Sequence, residues 1–446
     1  MKHSYDFMNK DNLIEKIQEL FDSKFIDKTA RLTKFVQRTS KLKGFNFFML
    51  CVFDAKNEST TSIEDLTREL QKDNIFIRKQ SLQDRFNSYS SCFMKKMIEH
   101  ALSKKLLLEK EKIKCQFNRI IINDSTSFQL PESYHNNYKG CGGSSSIAGL
   151  KMHYCYNLLS QEIIDINVGH GAVPDSLYPL QDLQRNDLRI EDLGYFKINK
   201  FKQIKEVGAY FLSRFRFHIN VSVVDNGIIK PLDLLKVIRR MSYGEIKSIN
   251  VQIGEKEKFA TRLVIEKLPK KVADEKRRKL KLYKKQKQRT FTKELLIFCD
   301  VNTFVTNCNQ EQLPTHLIRQ CYSLRWQVEI IFKSWKTHFK IDKVRQMKIE
   351  RFECFHYGCL MLIILSTHLL RYCRHLNYKK FQLETSELKF FKLIVSMKQL
   401  IKASVRKSRN KLTEFLDNIL AIAEKTCIKE QRLNRLQPLK IIRFLN

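Results

Sequence analysis

Residues Tyr322 to Lys336 read YSLRWQVEIIFKSWK, and this stretch has the spacing of an amphipathic helix. On a helical projection of about 100° per residue, four polar side chains fall within an arc of roughly 60°. They are Tyr322, Arg325, Glu329 and Lys336. An apolar set falls on a neighbouring arc: Leu324, Val328, Ile331, Phe332 and Trp335. The stretch therefore predicts a helix that packs one stripe on a core and presents a carboxylate beside two cations and a phenol.

Two interpretations fit the polar stripe. Glu329 and Arg325 are four residues apart, so they could form an ordinary ion pair on a helix surface. Alternatively, Glu329 holds a divalent cation while the cations and the phenol bind adjoining phosphate oxygens. Phosphoryl transfer needs both of these functions within reach of one ligand. The spacing alone leaves both interpretations open.

Composition and charge favour a globular protein that binds a polyanion. The chain has 446 residues, and its net charge is 82 − 47 = +35, with a pI of about 9.7. Apolar residues make up 43% and charged residues 29%, which excludes a disordered or collagenous chain. Its length predicts roughly three structural units. A charge this large is self-repelling, so nucleic acid is the expected partner.

Several other classes of protein find no support. The N-terminus lacks the apolar segment of a signal peptide, and Tyr357 to Leu365 is too short for a span, so we expect a buried helix and no membrane. The 12 cysteines include no Cys-x-x-Cys pair, which indicates reduced core thiols in a cytoplasmic protein. Gly140-x-Gly142-Gly143 is not followed by Gly-Lys-Ser/Thr, so no nucleotide cofactor is expected.

Residues 1–112 are predicted to be mostly helical. Ser62 and Asp65 have the spacing of a capping box, and a break follows at Asp73-Asn74. The next predicted helix is basic on its outer side, where it carries Arg78, Lys79 and Arg85. Two short helices around a tight turn resemble a helix-turn-helix DNA reader, although an ordinary helical hairpin has the same pattern.

The middle of the chain alternates strands with occasional helices, which predicts an α/β fold. An apolar strand ends in Asp124, a hairpin turns at Ser160-Gln161, and a short strand ends in Asp192. A helix is predicted over 198–206. Further strands are predicted at 209–215, 218–224, 248–253, 259–265 and 295–300. Residues 270–289 hold 11 Lys or Arg, and we favour phosphate docking over a solvated helix for this run.

The polar stripe matches a known signature. Tyr322-x2-Arg325-x3-Glu329-x6-Lys336 resembles the YREK motif of the insertion-sequence-four family of DDE transposases. Residues 123–126 (NDST) and 192–196 (DLGYF) resemble that family's first and second Asp motifs. The resemblance covers about residues 30–375.

The resemblance implies an α/β architecture with an RNase H-like catalytic core that a β-rich insertion domain interrupts. Asp124, Asp192 and Glu329 would be catalytic and would hold two Mg2+ ions, with Mn2+ as an alternative, while Tyr322, Arg325 and Lys336 would bind DNA. The expected units are a helical DNA-binding domain (1–112), the core (113–216 and 313–375), the basic insertion (217–312) and a helical region for dimerisation (376–446).

The implied function is cut-and-paste DNA transposition: metal-dependent cleavage at transposon ends, then transfer of the 3′-OH into target DNA. The expected partners are the terminal inverted repeats, target DNA and a second copy of the chain in a synaptic complex. The expected location is the bacterial cytoplasm, at the nucleoid when bound to DNA. Both tryptophans, Trp326 and Trp335, lie on the YREK stretch rather than in the insertion, so the sequence leaves a DNA-hairpin step open.

Two other functions remain to be distinguished, a non-catalytic DNA-binding protein derived from a transposase and an RNase H-like nuclease. Among other candidate residues, Lys151 is a further possible phosphate contact. Glu191 and Asp300 are left out of the site because neither stands in a matching motif. The histidines His153 and His170 are expected to be structural.

Overall fold

A helical segment precedes the sheet in this computed structural model. Its helices are α1 (Ser4–Leu20), α2 (Ser23–Leu32), α3 (Gly44–Met49), α4 (Ile63–Lys72), α5 (Lys79–Arg85) and α6 (Ser88–Ser103), and α3 continues into a π-helical turn at Leu50–Asp54. The predicted capping box is confirmed at the start of α4. The Asp65 amide donates to Ser62 Oγ at 3.0 Å, and the Ser62 amide donates to Asp65 Oδ2 at 3.2 Å. These bonds satisfy amides that have no partner within the helix.

The structure describes residues 4–55, 61–103, 115–143, 145–255, 258–286, 288, 290, 292–406, 408–430 and 438–443. The predicted boundary at 112/113 lies outside these residues, as do positions 287 and 289 of the basic run. Parts of the predicted regions 1–112 and 376–446 also lie outside them.

A ten-stranded mixed sheet forms the centre of the molecule. In chain order the elements are β1 (Arg119–Gln129), β2 (Gly149–Asn157), β3 (Glu162–His170), β4 (Asp187–Glu191), α7 (Ile198–Glu206), β5 (Tyr210–Arg214), β6 (Val221–Asp225), β7 (Ile228–Pro231), α8 (Leu234–Arg240), β8 (Ile246–Ile253), β9 (Phe259–Lys267), α9 (Lys270–Gln286), α10 (Lys293–Phe298) and β10 (Val301–Thr306). The strand order is β3-β2-β1-β4-β5-β10-β9-β8-β6-β7. The α/β prediction is confirmed.

Strand direction divides the sheet. Strands β1, β4 and β5 are mutually parallel, and the other paired strands are antiparallel. Strand β10 pairs with β5 on one side and β9 on the other, so the strands of the 217–312 stretch continue the sheet of the preceding stretch. The β2–β3 hairpin forms where predicted, and Gln161 in its turn adopts a left-handed φ of 56°.

Helices cover both faces of the sheet. The C-terminal helices are α11 (Ile318–Ser323), α12 (Trp326–Ser334), α13 (Ile349–Phe381), α14 (Glu387–Ser396), α15 (Lys398–Val405), α16 (Arg409–Thr426) and α17 (Pro438–Arg443). Ile120 and Ile122 of β1 belong to the core shared with these helices and with the N-terminal ones. On the other face, Phe201 of α7 stacks on Phe211 of β5 at 4.1 Å between ring centroids.

Helix α13 contains the stretch that is predicted to be a buried helix. By length and composition α13 is long and apolar enough to cross a membrane, but 72% of its apolar window is buried inside the protein. Such burial is typical of a core helix, because other parts of the fold already cover its apolar side chains.

Three local predictions are wrong. Residues 295–300 are not a strand: Thr292 caps α10 by accepting from the Leu295 amide, and the strand follows at β10. A short apolar run fits a strand or a helix equally well, which explains the error. Asp124 does not end its strand, because β1 continues to Gln129. Finally, the YREK stretch is not one regular helix, since α11 and α12 are joined by a tighter turn and a π-helical turn follows at Trp335–Phe339.

Candidate active site

The predicted site residues come from three elements that meet on one side of the sheet. Asp124 lies in β1, and Asp192 follows directly after the parallel neighbour β4. Glu329 lies on α12, which contacts β1. Residues separated by 68 and by 137 positions are therefore brought together by strand pairing and by helix packing.

The apolar stripe of the YREK stretch fixes α12 against the sheet. Val328 and Trp335 are completely buried, and Leu324, Ile331 and Phe332 are nearly so. The Trp335 ring meets the Tyr154 ring of β2 edge-on at 5.1 Å between centroids. With this stripe buried, the adjoining polar stripe faces β1 and the end of β4, as the helical projection predicts.

Arg325 connects two of the three carboxylates. Its Nη1 donates to Asp124 Oδ2 at 2.5 Å, and its Nη2 donates to Glu329 Oε1. The ion pair between Arg325 and Glu329 that the first interpretation predicts therefore forms, and Arg325 pairs with Asp124 as well. Only 14% of the Arg325 side chain and 15% of the Asp124 side chain are exposed, so water screens this pair poorly.

Tyr322 connects the third carboxylate. Its hydroxyl donates to Asp192 Oδ1 at 3.0 Å, and its ring packs against Phe304 of β10 at 5.2 Å between centroids. The Arg325 guanidinium lies 5.9 Å from the Tyr322 ring centroid. The phenol and the guanidinium thus form one donor layer that spans Asp124, Asp192 and Glu329.

Lys336 is the fourth residue of the motif, and it lies at the margin of the site. Its Nζ donates to the backbone carbonyl of Ser127 at 3.2 Å, further along β1. Its ammonium forms no ion pair among the described residues. The structure thus directs all four polar side chains of the motif towards β1 or β4.

The electrostatics of Asp124 differ from those of an exposed acid. The pKa of Asp124 is raised to about 6, chiefly by burial and also by the charges of Asp192 and Glu329, although Arg325 and the Ser125 amide act to lower it. Burial acts to lower the pKa of Arg325, but Asp124, Tyr322, Asp192 and the hydrogen bond to Glu329 together outweigh this effect, so the pKa of Arg325 is raised. The pocket therefore holds repelling acids together around one cation.

Oxygen ligands suit Mg2+ and Mn2+, and three carboxylates are a fitting donor set for such ions. In the described part of the chain, no three His, Cys, Asp or Glu side chains are already arranged as a metal site. Arg325 instead lies between Asp124 and Glu329, where it supplies the positive charge that those carboxylates need. The acids fit a divalent cation in chemistry, provided that Arg325 moves from between them.

Sequence reasoning missed Asp175, an acid that contacts Ser125, the residue after Asp124. Ser125 Oγ donates to Asp175 Oδ1 at 2.8 Å, and Lys151 Nζ donates to the same oxygen at 3.1 Å. A Cβ on Gly194 would lie 3.0 Å from Asp175 Oδ2, so the glycine of the second Asp motif lets the two segments approach. Asp175 begins a one-turn 3-10 helix (Asp175–Leu177), which is too short to produce a periodic pattern in the sequence.

The other candidates are occupied elsewhere. Lys151 also donates to the Val173 carbonyl at 2.6 Å, so its ammonium is held inside the protein. Glu191 is buried with Arg189, on the sheet face opposite Asp124, because side chains alternate along a strand. Asp300 pairs with Lys267 at 3.3 Å.

His153 has the surroundings of a structural histidine, as expected. Burial lowers the pKa of His153 to about 4, and its ring stacks on Tyr178.

Comparisons with known proteins identify the family to which this chain belongs. Residues 116–365, more than half of the chain, match the family described as Transposase DDE domain. The chain is 30% identical to the transposase for insertion sequence element IS1151 of Clostridium perfringens, over 97% of this chain and 96% of that protein. It is 29% identical to the transposase for insertion sequence element IS231F of Bacillus thuringiensis subsp. israelensis, over 95% and 93% of the two chains.

A solved structure of a piggyBac transposase synaptic complex with hairpin DNA also aligns, with a TM-score of 0.42 and 12% identity over 98% of this chain and 88% of that chain. A similarity this low carries no argument about the fold or the ligand.

Proposed function

Because this chain belongs to the DDE transposase family, we propose that Asp124, Asp192 and Glu329 are its three catalytic carboxylates. The protein is a DNA transposase, an enzyme that breaks and joins phosphodiester bonds. Its resemblance to insertion-sequence-four transposases is confirmed at the level of the family. The observation that carries the residue assignment is the shared donor layer of Arg325 and Tyr322, which brings the three acids to one place.

The family's chemistry uses divalent metal ions. We assign Asp124, Asp192 and Glu329 as the ligands of two Mg2+ ions, for which Mn2+ could substitute. When bound, such ions make a water a stronger nucleophile and stabilise charge on the leaving oxygen. Arg325 must leave Asp124 and Glu329 first, because these carboxylates cannot bind metal ions while they are paired with it.

Arg325 has a natural second partner. A guanidinium matches the geometry of a phosphate as well as that of a carboxylate, and it binds both through paired hydrogen bonds. We propose that Arg325 leaves Asp124 and Glu329 for a backbone phosphate of the scissile strand. Tyr322 and Lys336 flank it and contact neighbouring phosphates. This movement of Arg325 frees the acids for metal ions, and the guanidinium then binds the substrate.

Helix α9 is a second proposed DNA surface. Its first half is anchored to β10, because Lys276 Nζ donates to the Asn302 side chain at 2.8 Å and Arg277 pairs with Asp300. The outer side of α9 is basic, and among the described residues no carboxylate forms an ion pair with its exposed Lys271, Arg278, Lys281 or Lys285. Such a helix binds phosphates without reading sequence.

The finer architecture is also a proposal. Strand order β3-β2-β1-β4-β5, with β1, β4 and β5 parallel, supports an RNase H-like core over 113–216 and 313–375. We assign 217–312 to the insertion, 1–112 to the unit that binds DNA, and 376–446 to a helical region for dimerisation. The expected partners are the element's terminal inverted repeats, target DNA and a second copy of the chain. The bacterial cytoplasm, with its nucleoid, is the proposed location.

Cleavage of a labelled transposon end tests this assignment. Wild-type protein with Mg2+ should release a 3′-OH at the end and then join it to a target duplex, whereas Asp124→Asn should do neither. Asp225→Asn is the matched control, because Asp225 lies in the exposed β6–β7 hairpin, paired with Lys230. Undiminished cleavage by Asp124→Asn would refute the assignment. Cleavage without joining would indicate a nuclease, and binding without cleavage would indicate a non-catalytic DNA-binding protein.

A further inference from the structure

A basic pocket lies at the junction of the N-terminal helices with the segment that leads into α13. Its cavity has a volume of about 620 Å3. Residues from α5, from the start of α4 and from the segment around α13 line it, and the polar ones are Ser62, Lys79, Gln80, Gln83, Arg345 and Arg351. This basic pocket shares no lining residue with the active site, and no part of the proposed cleavage chemistry uses it.

The basic pocket contains three cations and no lining carboxylate. Burial lowers the pKa of Arg351, and the charge of Arg345 lowers it further. Two guanidinium groups that repel each other in a partly buried space cost free energy unless an anion offsets them. Two lining residues contact acids outside the lining: Ser62 Oγ donates to Asp65 Oδ2 at 2.7 Å, and the Gln80 amide donates to Asp84 Oδ1 at 2.8 Å.

The arginines are held in place but not saturated. Arg345 Nη2 donates to the Thr61 carbonyl at 2.7 Å, and Arg351 Nη1 donates to Gln83 Oε1 at 3.2 Å. Each guanidinium carries five N–H groups, so these bonds leave donors for a ligand. Lys79 is exposed, and it forms no ion pair within the described ranges. Two fixed guanidinium groups beside a mobile ammonium are a suitable set of donors for a tetrahedral anion.

Resting on the proposed function, we infer that the basic pocket binds a phosphate group of the DNA backbone. The cavity is larger than a single phosphate needs, so the adjoining sugars also fit. The pocket joins α5, the second helix of the predicted DNA reader, to the start of α13. A phosphate bound there contacts both elements at once, and it fixes the orientation of the N-terminal helices on the duplex without reading its sequence.

The test measures DNA binding rather than cleavage. Binding of a labelled transposon-end duplex is followed by fluorescence anisotropy over a range of salt, in the Asp124→Asn background. Lys79→Gln should weaken binding about three- to tenfold and reduce the slope of log K against log salt by about one. Lys230→Gln, on the exposed β6–β7 hairpin, is the matched control and should change neither quantity.

The arginines are tested with a charge-preserving pair. Arg351→Gln should reduce the salt slope as Lys79→Gln does, and Arg351→Lys should restore most of the slope even if both variants are less stable than the wild type.

Inorganic phosphate provides a second experiment, through its effect on the melting temperature. Stabilisation by phosphate with an unchanged DNA slope in Lys79→Gln and Arg351→Gln would mean a free-anion site and would overturn the proposal. An unchanged slope without stabilisation would overturn it too. Because binding is read without cleavage, neither result depends on the catalytic acids.

Discussion

The active site and the basic pocket hold their charges in opposite ways. In the active site, Arg325 and Tyr322 bind the carboxylates from within the protein, so each of the three acids already has an internal partner before any ligand arrives. In the basic pocket, the lining cations face no lining carboxylate. The first site must therefore exchange a partner to act, whereas the second is ready for an anion. An ion pair inside a substrate site therefore indicates that the site exchanges partners when the substrate binds.

The largest effect is expected at the acids themselves. Glu329→Gln should lower the rate of end cleavage about a thousandfold, because a neutral amide cannot replace a charged ligand in phosphoryl transfer. Glu414→Gln, on the exposed side of α16, is the control and should cleave normally. The measurement is single-turnover cleavage of a labelled end. A loss smaller than tenfold would remove Glu329 from the catalytic set.

Arg325→Gln should lower the cleavage rate and at the same time raise the affinity for Mn2+. Cleavage should fall about a hundredfold, since a charged contact to the phosphate is lost. Binding of Mn2+ to the DNA-free protein should become tighter, because Asp124 and Glu329 lose their internal cation. Arg319→Gln is the control, since Arg319 is 62% exposed and pairs with Glu266 instead. Weaker Mn2+ binding in Arg325→Gln would contradict the exchange.

A change in pH should affect the active site and leave the basic pocket unchanged. The pKa of Asp124 is raised by burial from 3.8 to about 6, so between these values the folded state binds more protons than the unfolded state. Stability from this group is therefore lost as pH rises from about 4 to 6. In EDTA, the wild type should gain about 2 kcal/mol on acidification relative to Asp124→Asn, measured by urea unfolding. Parallel pH profiles of the two proteins would contradict the raised pKa.

The smallest effect is expected on α9. Neutralising Lys281, Lys284 and Lys285 together should weaken DNA binding by up to about tenfold and reduce the salt slope by two to three. The loss should be equal for end and random duplexes, because backbone contacts carry no sequence information. The measurement is anisotropy at several salt concentrations, with Lys230→Gln as the reference. A loss confined to the end duplex would indicate base reading instead.

Patterns with a strong local cause were predictable. The capping box at Ser62, the turn at Gln161 and helix α7 follow from neighbouring residues, so they appear where the sequence indicates them. The polar stripe of the YREK stretch was also predictable, because burial of the apolar stripe fixes its direction. Its division into α11 and α12 was not, because the tighter turn at Leu324 and Arg325 leaves no trace in the helical spacing.

Long-range contacts account for what the sequence did not show. No spacing rule predicts that Arg325 reaches Asp124, which lies 201 residues earlier in the chain. Asp175 was not predicted because its position beside Gly194 depends on how the chain folds there. The error at α10 has a local cause instead. Its apolar run fits a strand or a helix equally well, and the Thr292 cap favours the helix.

The central claim is that three distant carboxylates form one site for divalent ions beside DNA. Counting Mn2+ by electron paramagnetic resonance on the DNA-bound protein tests it most directly. The wild type should bind two ions per chain, and Asp124→Asn, Asp192→Asn and Glu329→Gln should each lose at least one, while Asp225→Asn keeps both. Equal occupancy in the wild type and all three site variants would contradict the claim.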